Sequence, residues 1–185
     1  MASWFRRQRP RVEAPTLTPR DTTAAALRVD LSELAPSPDV FLGHCAALHL
    51  VFIEQLTTAM SNAPRVADKD ALARVSAVAL ERYQGIVAEL ERQQLDKTDV
   101  MQPHLESVEE FERRTQGGAW YEQVASAHVT IGFLTHFWVC LAAGLPGELR
   151  GRVVVALSAG DLEGPVHRII ERAIAANPAL SSRLA

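Results

Sequence analysis

The stretch Val124–Leu145, VASAHVTIGFLTHFWVCLAAGL, runs for 22 residues without an aspartate, glutamate, lysine or arginine. No other feature of the chain restricts its fold as strongly. A segment this long and uncharged forms a helix either across a bilayer or through the middle of a bundle of helices. Its two histidines, its scattered serine, threonine and glycine, and the lack of a basic cluster beside it argue against insertion. It is therefore read as an interior helix of a soluble protein. A helix that is apolar on every side needs partners of matching length around it.

The prolines mark out those partners. Five of the ten fall before residue 39, so residues 1–38 are read as an irregular, arginine-rich N-terminal arm with a short helical turn near 22–27, and residues 39–185 as the folded domain. Beyond residue 39 the stretches between prolines carry helical periodicity, and none alternates with period two, so no sheet is expected. Four long helices are expected, over 39–61, 67–93, 119–143 and 147–176, each on the order of 35–45 Å long. Tight corners at Asn62–Pro64 and Gly144–Pro146 make two antiparallel hairpins. The connection between the second and third helices is long, with a short helix expected at His104–Thr115 and a stop at Gly117 and Gly118. The expected fold is thus all-α, a ferritin-like four-helix bundle with one long crossover between helices two and three. The fourth helix should kink or break at GDLEGPVH, where Gly160 ends the first half and Asp161 caps the second.

Charge and cysteine usage narrow the setting. The whole chain carries a formal charge of −3, yet Arg6, Arg7, Arg9, Arg11 and Arg20 oppose only Glu13 within the first 20 residues. With Trp4 and Phe5 beside them, Arg6, Arg7, Arg9 and Arg11 are the candidates for contact with RNA or an anionic lipid surface. Cys45 and Cys140 lie far apart in apolar runs and read as reduced thiols. The N-terminus has no apolar core of a secretory signal, and the expected location is cytoplasmic.

The fold raises the question of metal. A ferritin-like di-iron centre takes one glutamate from each of two helices and a Glu-x-x-His pair from each of the other two. Neither Glu-x-x-His nor Asp-x-x-His occurs in the 185 residues. On the second helix Leu72, Val75, Ala79, Tyr83, Ile86 and Leu90 form the inward stripe, while Glu81 shares the outer side with Asp70, Arg74 and Arg92. Glu54 is the only acid in the middle of the first helix, the third helix has none, and Glu163 and His167 on the fourth stand four apart rather than three. Too few carboxylates remain to balance two irons in a low-dielectric interior. No cofactor is expected; iron, manganese or zinc are the metals a remodelled site would take. Its candidate ligands are His49, Glu54, His128, His136 and Cys140, provided that the strip His128, Gly132, His136, Cys140 faces the strip His44, Cys45, His49. Otherwise these imidazoles and thiols simply fill the interior, bonded to carbonyls and hydroxyls.

From about Val29 onward come VDLSELAPSPDVFLGH, DKDALARVSAVAL, VMQPHLESVEEFERRTQGGAWYE, AAGLPGELRGRV and AIAANPALSSRLA, in that order. On these stretches the chain resembles an actinobacterial family of ferritin-like proteins similar to tRNA hydroxylases, which modify a hypermodified adenosine beside the anticodon with a di-iron centre. It implies the ferritin-like bundle and, in the enzymes, oxygenase chemistry. The missing ligands turn the expectation towards a non-catalytic binding, scaffolding or self-associating protein, most simply a homodimer. The rival expectation is a metal-dependent oxygenase using His49, Glu54, His128 and His136.

Overall fold

The structure, a computed structural model, describes residues 31–181; the helical turn expected near 22–27 and the arginines of the arm lie outside them. Six α-helices follow one another: α1 (Pro38–Ser61), α2 (Val66–Arg92), α3 (Lys97–Thr115), α4 (Trp120–Leu141), α5 (Gly147–Leu157) and α6 (Glu163–Ala176). There is no strand among the described residues. The fold is an all-α bundle of α1, α2, α4 and the α5–α6 pair, which is the fourth helix in two pieces.

Pairs of contacts along the helices give their directions. Going up α2, Asp68 meets Arg172, Arg82 meets Gly160, and Glu89 meets Arg152, so α2 and the fourth helix run antiparallel. Going up α1, Phe41 meets Trp138 and Ala59 meets Trp120, so α1 and α4 are antiparallel too. Helices α2 and α4 are therefore parallel, which the crossover permits by running back along α1. Its helix α3 lies parallel to α1, with His104 stacked on His44 near one end and Gln116 beside Thr58 near the other. Helix α3 begins seven residues earlier than expected, because the Asp96 carboxylate accepts from the Thr98 and Asp99 amides and starts the helix ahead of Pro103.

The break in the fourth helix falls where the glycine and proline place it. Gly160 has φ +62°, a conformation that side chains rarely adopt, and Asp161 accepts from the Glu163 and Gly164 amides to open α6. At the other end of the bundle, residues 31–34 form a short 3-10 turn against the α4–α5 corner. There a side chain at position 144 would overlap the Ser32 carbonyl, so Gly144 is needed for the close approach.

The core is divided. One apolar cluster holds Phe41, Leu42, Ile86, Leu90, Trp138 and Val153; the other holds Phe52, Leu56, Leu72, Val75, Ile131 and Ile169. On the four helices the clusters change over between Val51 and Phe52, Ala79 and Tyr83, Ile131 and Leu134, and Leu157 and Leu162, close to His49, Arg82, Thr135 and Ala159–Gly160. Those residues form a polar layer across the waist of the bundle.

Candidate functional site at the waist of the bundle

Arg82 is the centre of this layer. It sits on the inward stripe of α2, three residues after Ala79 and four before Ile86, and is 6 % exposed. Its Nε donates to the Ala159 carbonyl at 2.7 Å and one Nη to the Gly160 carbonyl at 3.1 Å. The other Nη reaches Thr135 Oγ1 on α4 at 3.5 Å. A broken helix leaves carbonyls without amide partners, and the guanidinium fork supplies donors to two of them. Burial works against the positive charge of Arg82, while Glu163, Asp161 and Glu81 support it.

Opposite Arg82 stands His49 of α1, 1 % exposed, whose Nδ1 bonds the Cys45 carbonyl at 2.8 Å. Its Nε2 is buried with no hydrogen-bond partner among the described residues. Burial, with the charge of Arg82 adding to it, lowers the His49 pKa from 6.5 to about 4, so the ring is neutral at pH 7. Cys45 beside it is fully buried, and its thiol pKa is pushed well up. On the far side of the layer the Glu163 carboxylate lies against Gly132 of α4, close to His128. Burial lowers the His128 pKa, partly offset by Glu163, and its ring lies 6.3 Å from that of His167.

These donors do not suit a pair of irons. The carboxylates that would offset the metal charge are missing from the waist: Glu54 and Glu81 are exposed, α4 has no acid beyond Glu122, and the buried Asp68 and Glu89 are each taken up by two arginines. A guanidinium points into the space between the helices instead, and a fixed cation there repels another. Among the described residues no three His, Cys, Asp or Glu side chains gather as a metal-binding group.

A sequence model of the family described as ferritin-like domain, actinomycetes, matches residues 39–185. The chain belongs to that family. No curated protein matches it. In this ferritin-like protein the five candidate ligands are dispersed. His49 is in the waist, and Glu54 lies on the surface beside Glu109 and Glu112. His128 faces α6, whereas His136 is exposed and Cys140 half-buried beside it, with His136 Nε2 and Cys140 Sγ 3.7 Å apart. The strip on α4 separates because each four-residue step turns about 40° around the helix, enough over three steps to pass from interior to solvent. Nor does it face the strip on α1, since His44 packs on His104 and Trp138 instead.

Among the described residues three charges are buried at positions that periodicity does not reveal. Arg82 was hidden by its charge, although its place between Ala79 and Ile86 puts it on the stripe, and Tyr83 is the less buried neighbour. Asp68 is fully buried between Arg65 and Arg172, joining α2 to α6. Glu89 is buried between Arg92 and Arg152, joining α2 to α5. With Arg82 between them, these pairs form a polar ladder along the contact of α2 with both halves of the fourth helix.

A second surface stands out. Helices α1 and α4 are both long and apolar enough to cross a membrane by length and composition, but the most apolar window of α1 is 61 % buried and that of α4 only 22 %. Val129 and Phe133 on α4 are 67 % and 68 % exposed. At 100° per residue Val129, Phe133, His136 and Cys140 fall within about 60° of arc, one outward stripe without charge.

Proposed function

We propose that this ferritin-like chain is a non-catalytic, self-associating bundle that pairs through the outward stripe of α4 as a homodimer. The observation that carries this reading is the exposure of Val129 and Phe133 on a helix without a charged residue between Glu122 and Glu148. Exposed apolar stripes of this kind mark association surfaces. A second copy fits because an uncharged stripe meets its own image without like-charge repulsion, as a two-fold interface requires. The groove beside it, lined by Leu48, Phe111, Leu134, Phe137 and Trp138, extends the apolar surface towards α3. Any kinship to tRNA hydroxylases is then one of scaffold, since the waist has been given over to Arg82.

Sedimentation velocity on the full chain tests this. Wild-type protein is expected as a dimer and Phe133→Glu as a folded monomer, because the substitution places a carboxylate in the middle of the contact. A wild-type monomer, or a dimer indifferent to Phe133→Glu, refutes the assignment. Wild-type monomer that floats with lipid vesicles, and loses this on Phe133→Glu, would assign the stripe to a bilayer surface instead.

A further inference from the structure

We propose that His136 and Cys140 of two copies together bind one divalent cation of zinc type on the two-fold axis of the dimer. This rests on the self-association through α4 proposed above and adds to it a ligand that the interior does not offer.

The two side chains stand one helical turn apart on the outward stripe, with Nε2 and Sγ separated by 3.7 Å. A tetrahedral zinc ion with a Zn–S bond of about 2.3 Å and a Zn–N bond of about 2.05 Å holds its sulfur and nitrogen about 3.6 Å apart. The pair is thus spaced as a chelate, and closure requires rotation of the side chains rather than movement of the helix. Two ligands from one chain leave two positions open. An isologous contact brings the same pair from the second copy, completing a Cys2His2 set. Two thiolates then balance one divalent ion, and the centre is neutral in a stripe with no other charge to compensate it. Phe133 lies about 4.5 Å along the axis from His136, where it packs on the partner helix and screens the ion from water.

The competing ligands of the chain are not available in the same way. Cys45 is fully buried, with its thiol pKa raised by burial, and His49 uses Nδ1 on its own helix. The site therefore falls to Cys140, the partly exposed cysteine, with the exposed His136 beside it.

Cobalt(II) titration of the full-length, tag-free chain after chelator treatment is the test. The expected result is a thiolate-to-cobalt charge-transfer band with intense tetrahedral d–d bands, saturating at one cobalt per two chains and displaced by zinc. Cys140→Ser and His136→Ala should each abolish the bands while circular dichroism stays unchanged, and Cys45→Ala should retain them. Zinc should lower the dimer dissociation constant on the order of tenfold relative to EDTA, and not in Cys140→Ser. Absence of the charge-transfer band, saturation at one cobalt per chain, or bands that survive Cys140→Ser overturns the shared site. A chain that dimerises in EDTA through Phe133 but gives no cobalt–thiolate band overturns the metal alone. A chain that is monomeric with and without metal overturns both proposals.

Discussion

At the scale of single residues, Arg82 and His49 make the most definite predictions. Arg82→Met keeps length and apolar volume but leaves the Ala159 and Gly160 carbonyls without their donor. It should lower the free energy of unfolding by about 3 kcal/mol, and Arg82→Lys by about half as much, since a point charge cannot serve two carbonyls as the fork does. Urea unfolding measures both; Arg82→Met at or above wild-type stability would remove the guanidinium from its supporting role. His49 predicts a pH dependence. Its pKa is about 4 when folded against 6.5 in the open chain, so the unfolded state takes up the proton first as pH falls. The stability is therefore full above about 6.5, falls between about 6.5 and about 4, and levels off below that, a loss of about 3 kcal/mol. Unfolding curves at a series of pH values should show a shallower slope for His49→Gln than for wild type, and equal slopes would contradict it. Burial lowers His44 and His128 in the same direction, so the wild-type slope is the larger composite.

At the scale of elements, the two halves of the fourth helix are pinned separately. Asp68 holds α6 through Arg172 and Glu89 holds α5 through Arg152, with the Gly160 break between them. Asp68→Asn should raise amide hydrogen exchange over 163–176 while leaving 147–157 protected, and Glu89→Gln should do the reverse. Exchange that rises equally in both halves after either substitution would mean that the break does not uncouple them. The elements themselves were legible in the sequence. Proline and glycine chemistry is local, so the Asn62–Pro64 corner, the Gly160 break and the Asp161 cap all follow from neighbours within a turn of helix. The α3 start was not, because it depends on whether the Asp96 cap outweighs the cost of Pro103, a balance that periodicity does not weigh. The ladder was not legible either. A charge on an inward stripe reads as an irregularity until the carbonyls or arginines of another helix are seen opposite it, and for Arg82 those lie 77 and 78 residues away in sequence.

For the whole molecule, the uncharged run Val124–Leu145 gave the right class of fold and the wrong degree of enclosure. An all-apolar helix was expected to be surrounded, but the helix with neighbours all round is α1, covered by α2, α3 and α4, while α4 keeps one side open. Composition cannot distinguish a helix buried within its own chain from one that awaits a second chain, because both lack charge. Which helix the crossover lies against decides how much of each is covered within the chain. Helix α3 runs along α1 and covers it, and leaves the stripe through Val129 and Phe133 to the outside. The Phe133→Glu dimer test and the cobalt titration belong to this scale, since each reads a property that no single chain possesses.

The guanidinium at the waist has a consequence for how the middle of the bundle coheres. A cation attached to the backbone by a side chain cannot be chelated, oxidised or exchanged. A bundle held together by bound iron depends on iron supply and on the redox state of its surroundings. Here a positive charge is encoded in the polypeptide, and the contacts it makes with Ala159, Gly160 and Thr135 across the waist need no bound ion to form.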